Sequence, residues 1–248
     1  MTENGKDTKS GGTENTGFNW IRLWPLAVLI AGAVAFFGFG INDYITLDAL
    51  RDNREALQTL VSENLLRAAL VYIVIYAVLV AFSVPGALIA TLTGGFLFGT
   101  LYGGLYTVVG ATIGATIVFL AAKTALGDLL RAKAGPGIRK MEEGFKKNAF
   151  SYLMVLRLVP LFPFFLVNLA PAFLGVPLRT YVVATFFGII PGTFVFASVG
   201  NGLGAVFDSG QDPNLGIIFQ PEVLFPILGL AALSLVPVIY QRISKNKS

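Results

Sequence analysis

Residues Ala68–Ala122 read AALVYIVIYAVLVAFSVPGALIATLTGGFLFGTLYGGLYTVVGATIGATIVFLAA, 55 residues without one Asp, Glu, Lys or Arg. At about 20 residues per membrane crossing, this run is too long for two helices and short for three with loops. Pro85-Gly86 and Gly94-Gly95 interrupt it. The economical reading is a helix over residues 68–82, a broken or re-entrant half-helix over 85–98 that turns back near Gly94-Gly95, and a full helix over 100–122. Non-helical backbone at membrane depth is tolerated only where protein or a water-filled cavity surrounds it. Gly110 and Gly114 stand four apart in the last helix, a small-xxx-small pair suited to close contact with a neighbouring helix.

The whole chain agrees with that run. Of 248 residues, 55% are hydrophobic and 13% charged, with a mean hydropathy of +0.73. Soluble domains carry about 25% charged residues. Half that number leaves too little polar surface to cover a globule in water, so the composition is that of a polytopic membrane protein. Glycine (28), phenylalanine (21) and proline (12) are abundant, while cysteine and histidine are absent. No disulfide, thiolate metal site or cysteine nucleophile can form, and the usual metal ligand and general base are missing. No two acids share an apolar segment, so an enzyme is not expected and no cofactor or metal is called for. No basic stripe with interleaved aromatics suggests nucleic acid.

Upstream, residues 1–20 form a polar tail with the composition of disorder. Residues 23–42 make a first transmembrane helix, flanked by Trp20 and Trp24. Residues 46–66 alternate Leu47, Leu50, Leu57 and Leu60 with acids and arginines at helical spacing. This is an amphipathic helix with Thr46 as its N-cap, lying either in the interface or as a solvated linker on the protein. Downstream, residues 123–148 form a polar loop with seven Lys or Arg against three acids, which the positive-inside rule makes cytoplasmic. Residues 149–178 are apolar apart from Arg157 and are broken by Pro160, Pro163, Pro171 and Pro177, a second re-entrant element. Residues 180–200 form a helix containing Pro191-Gly192, 201–220 an outer loop without Lys or Arg, and 223–241 a last helix before a basic tail.

The two broken segments resemble each other. The first ends in Phe96-Leu97-Phe98-Gly99 and the second in Ala172-Phe173-Leu174-Gly175. Each precedes a helix rich in Gly and Thr, with Ala111-Thr112-Ile113-Gly114 after the first and Ala184-Thr185-Phe186-Phe187-Gly188 after the second. One crossing separates them, so they should enter from opposite faces. Paired interrupted segments of this kind point to a transport site near the midplane.

Phe82-Ser83-Val84-Pro85-Gly86, Gly94-Gly95-Phe96-Leu97-Phe98-Gly99 and Tyr102-Gly103 resemble the first half of a VTT domain. Arg157-Leu158-Val159-Pro160-Leu161-Phe162-Pro163, Asn168, Tyr181 and Gly188-Ile189-Ile190-Pro191-Gly192-Thr193 resemble its second half. The chain is thus similar, over residues 66–204, to the SNARE-associated Golgi protein family, in its Tvp-like branch related to DedA. The resemblance implies two facing re-entrant helices and an activity in moving lipids across bilayers, either phospholipids or a polyprenyl phosphate carrier. DedA proteins in the narrow sense carry membrane acids near the first re-entrant segment. This chain has none there, so proton coupling through a buried carboxylate is not supported.

The chemistry falls on few side chains. Arg157 is a charge inside an apolar segment, costly and by default functional. Its planar fork suits phosphate oxygens, and the bland alternative is snorkelling to the interface. Asn168 can bind a headgroup or cap the second half-helix. Pro85, Gly86, Gly94, Gly95, Pro160, Pro163, Pro191 and Gly192 shape the backbone as segment breakers. The sequence therefore predicts an all-α integral membrane protein with two inverted halves, translocating a phosphate-bearing lipid through a substrate site at Arg157 and Asn168. Membrane lipids are its expected partners, with an oligomer allowed. The membrane is the plasma membrane of a prokaryote or an endomembrane of a eukaryote. A small-solute or ion transporter of the same architecture and a non-transporting membrane scaffold are the alternatives.

Overall fold

Gly99 sets the path of the central segment. In the computed structural model, which describes residues 23–84, 86–133, 136–159, 162–209 and 213–245, helix α5 (Ala87–Lys133) is interrupted at Gly99, with φ 75° and ψ 172°. That backbone region is essentially closed to any residue with a Cβ. The helix folds back there into a short arm, residues 87–98, and a long arm, residues 100–133. The Tyr72 hydroxyl bonds both the Ala90 carbonyl (2.9 Å) and Thr107 Oγ1 (2.6 Å). Seventeen residues of straight helix would hold those groups about 25 Å apart. A Cβ on Gly103 would likewise strike the carbonyl oxygen of Gly94. The turn is therefore at Gly99, beyond Gly94-Gly95, and both of those glycines are helical. Their lack of a side chain serves close packing, since a Cβ on Gly94 would meet the Tyr72 ring and one on Gly95 the backbone of Ala197.

The elements before the hairpin are α1 (Trp24–Gly38), α2 (Leu47–Asp52), α3 (Arg54–Glu63) and α4 (Leu65–Ala81). The first is 15 residues long, about 22 Å of helix, and falls short of the crossing expected for residues 23–42. Thr46 Oγ1 accepts from the Ala49 amide at 3.1 Å and caps α2. The amphipathic stretch is two helices, because Asn53 ends α2 and starts α3 with non-helical angles. Asn64 then caps α4 by accepting from the Arg67 amide. Helix α4 runs alongside the long arm of α5, with Gly110 against Ile73 and Tyr76 and Gly114 against Ala77 and Val80.

After α5 come α6 (Pro136–Leu158), α7 (Phe164–Phe173), α8 (Leu178–Asn201), α9 (Leu203–Asp208) and α10 (Pro221–Lys245). The polar stretch 123–148 is thus not a loop, since α5 continues to Lys133 and α6 begins at Pro136. Pro163 is the N-cap of α7, and Gly175 closes the segment with a φ of 68°. Pro191-Gly192 does not break α8, which passes through both. Membrane helices tolerate such prolines where neighbours re-satisfy the freed backbone groups. Gly86 lies in the turn before α5. Pro85, Pro160 and the tail 1–20 lie outside the described residues.

The broadest packing in the molecule is between α8 and both arms of α5; α6 also packs on α8, and α10 packs mainly on α6. Phe119, Tyr181, Leu153, Val176 and Ala184 form the centre of the core. Three described helices are long and apolar enough to cross a membrane: α5 over Ala87–Ala125, α8, and α10 over Pro221–Tyr240. Helices α1 and α4 are apolar but shorter. Val74, Val78, Phe187, Leu233 and Ile239 are exposed, as hydrocarbon-facing residues of an integral membrane protein should be.

Candidate functional site

The second hairpin repeats the device of the first. Asn168 on α7 and Tyr181 on α8 stand thirteen residues apart, yet the Tyr181 hydroxyl donates to Asn168 Oδ1 at 3.2 Å. A straight helix would separate them by about 20 Å. The turn at Gly175 brings them together. Tyr181 is fully buried, stacks on Phe119 with ring centroids 4.3 Å apart, and lies 3.3 Å from the Ala115 carbonyl on the long arm of α5.

Arg157 enters this cluster from the end of α6. Its Nη2 donates to the Tyr181 hydroxyl at 2.8 Å and to Thr185 Oγ1 at 3.0 Å, and its guanidinium carbon lies 5.4 Å from the Tyr181 ring centroid. Gly188 makes room for its stem, since a Cβ there would lie 2.6 Å from Arg157 Cβ. Among the described residues, the side chains that bond the guanidinium, Tyr181 and Thr185, are neutral. Two donors in the cluster are buried without an acceptor, Arg157 Nε and Asn168 Nδ2. A buried donor without a partner costs about 1–3 kcal/mol, more when it belongs to a charged group. Both of these donors belong to residues that bond the Tyr181 hydroxyl.

The first hairpin carries a neutral counterpart. Tyr72 bonds Thr107, and Tyr76 bonds Thr91 at 2.9 Å, with no charge among them. A cavity of about 690 Å³ opens beside this ladder, between α2, α3, α4 and the short arm of α5. Arg157 does not line it. At the far edge of the short arm, α2 and α3 are tied to α9, with Arg54 Nη1 2.8 Å from Asp208 Oδ1 and Arg51 over the Phe207 ring at 5.0 Å. The hydrogen bond and charge of Asp208 hold the Arg54 guanidinium above its ordinary range.

Of the residues singled out in the sequence, Arg157 and Asn168 meet at one tyrosine. Gly94 and Gly95 belong to the interface of the short arm, while Pro191 and Gly192 lie within α8, away from the cluster. From the sequence, no chemical role is assigned to Tyr181, Thr185 or Phe119. A tyrosine and a threonine one helical turn apart in the first part of a largely apolar helix were the available signal, since a membrane helix seldom carries polar groups without partners.

Two glycine-hinged helical hairpins packed through α8 within an apolar, all-helical chain define an integral membrane protein of the paired-hairpin class. Residues 84–202 match the family model of the VTT domain. It is similar to the transmembrane protein 41 homolog of Dictyostelium discoideum, with 32% identity over 97 residues covering 39% of this chain and 27% of that protein. It is also similar to transmembrane protein 41B of Homo sapiens, 26% over 129 residues covering 52% and 42%. Transmembrane protein 41B of Gallus gallus is 28% identical over 105 residues, covering 42% and 37%. The chain thus spans less than half the length of these relatives. No solved structure matches it.

Proposed function

We propose that this protein translocates a phosphate-bearing lipid across the bilayer, without covalent catalysis, and that Arg157 and Asn168 receive the phosphate. The observation that carries the reading is the pair of buried, unpartnered donors, Arg157 Nε and Asn168 Nδ2, gathered around Tyr181. Arginine keeps its charge at any working pH, and a phosphate oxygen accepts from both a guanidinium and an amide. Thr185 and Tyr181 hold the guanidinium in one orientation, which lowers the ordering cost of binding. The two hairpins act as re-entrant elements entering from opposite faces. A headgroup passes along their polar inner edges while the tails remain in hydrocarbon. A phospholipid and a polyprenyl phosphate both present the required group, and both are membrane partners of the class the cluster selects. The membrane concerned is the plasma membrane in a prokaryote or an endomembrane in a eukaryote.

The test is reconstitution of the full chain into liposomes with fluorescent phospholipids or an undecaprenyl-phosphate analogue. Accessibility of the label to an external quencher is then followed in time. Exchange faster than in empty liposomes, lost in Arg157→Ala at equal protein content, supports the reading. Exchange indistinguishable from empty liposomes for both lipids overturns it.

A further inference from the structure

The cavity beside the first hairpin has a chemistry of its own. Its volume of about 690 Å³ falls in the range of about 300–1,000 Å³ typical of sites that enclose an organic ligand. Leu57 and Leu60 of α3, Val71 and Ile75 of α4, and Ile89 and Leu97 of the short arm are among its walls. Of the polar lining residues, Thr46, Asn53, Tyr72 and Thr93 are already hydrogen-bonded within the protein, and Glu63, Asn64 and Arg67 come from the junction of α3 and α4. Apolar walls thus run from a polar junction along two helices.

The cavity also has an open side. Val71 and Ile75 line it and are half exposed, and they continue the exposed apolar face that α4 presents through Leu66, Leu70, Val74 and Val78. In an integral membrane protein that face meets hydrocarbon, so what reaches the opening from the side is an acyl chain. Water gains little there, because a buried water needs two to four polar partners and the Tyr72 and Thr93 hydroxyls in these walls are already hydrogen-bonded to the protein. An extended protein segment is a poorer fit, because its backbone polar groups would go unsatisfied against apolar walls.

We infer that this cavity holds one acyl chain of a membrane glycerophospholipid, with the phosphate end at Arg67 where α3 meets α4. The site is separate from the Arg157 cluster and stands whether or not the protein moves lipid. Its occupant completes the packing between the amphipathic helices and the first hairpin, so α2 and α3 rest on lipid as well as on protein.

The experiment uses the full chain in nanodiscs of phosphatidylcholine doped with a phosphatidylcholine bearing a diazirine in mid-chain. After irradiation, adducts are mapped by mass spectrometry. Residues 57–61 and 89–97 should be labelled by about five-fold or more over the exposed apolar stretch 233–239 of α10. Ala68→Trp and Ala49→Trp fill the cavity from two different helices. Each should remove most of that excess while labelling of α10 stays at its original level, which reports an intact fold. Adducts spread evenly over α10 and the cavity overturn the inference, as does excess labelling that survives both tryptophans. Stronger labelling by a diazirine fatty acid than by the phospholipid at equal mole fraction overturns the phospholipid as occupant. None of these readouts involves transport, so failure here is distinct from failure of the translocation reading.

Discussion

Arg157 makes two hydrogen bonds to neutral hydroxyls and leaves its Nε without an acceptor. Arg157→Ala should reduce lipid exchange by about ten-fold or more, the factor that losing a charged hydrogen bond of about 1.5–3 kcal/mol produces, with insertion and protein level near normal. Arg157→Lys should recover only part of the rate, because an ammonium keeps the charge and loses the fork. Normal exchange in both variants at equal protein level would make Arg157 an anchor and dismiss the cluster as a site. Tyr181→Phe keeps the ring stack on Phe119 and removes the shared hydroxyl, so exchange should fall less than in Arg157→Ala while thermal stability in detergent drops modestly. Arg157 and Asn168 were legible in the sequence because a charge and an amide stand out in apolar segments. Tyr181 and Thr185 were not legible as their partners. They lie 24 and 28 residues beyond Arg157, and only the turn at Gly175 brings them back.

At the scale of the helices, glycine does two different jobs that one letter does not separate. The sequence pointed to Gly94-Gly95 as the turn, yet Gly99 makes it, because the test is backbone φ rather than spacing. Gly99→Ala should cost about 1–3 kcal/mol of strain and lower the thermal midpoint. Gly95 and Gly200 serve close approach. A Cβ on Gly95 would strike the Ala197 backbone, and one on Gly200 the Leu92 backbone. Neither backbone can rotate away as a side chain can. Gly95→Ala and Gly200→Ala should therefore each destabilise by about 1–3 kcal/mol, read as lost monodisperse protein and a lower melting temperature. Gly229 in α10 has nothing within 4 Å of a built Cβ, so Gly229→Ala should be neutral or slightly stabilising through helix propensity. If the Gly200 and Gly229 variants melted alike, the close crossing of α8 with the short arm would be wrong. The polar stretch 123–148 was misread for a related reason, since charge reports exposure to water and exposed helices are charged too.

For the whole molecule, the apolar runs and their glycine-proline interruptions were enough to read an all-helical membrane protein in two similar halves. The number of full crossings was not, because α1 and α4 have the hydropathy of a span without its length. The charge pattern predicts an orientation. Cysteines introduced at Lys133 and Asn214 in the cysteine-free chain should react with an impermeant maleimide from opposite sides, the first from the cytoplasm. Reaction of both from one side would dismiss that arrangement. The meeting of the halves at Gly95 with Ala197 and Gly200 with Leu92 has a mechanical meaning. A joint of main chain on main chain has no side-chain teeth to slip from one notch to the next. It sets the spacing of the two halves at the closest approach that helices can make, so a single methyl group added there has to prise them apart.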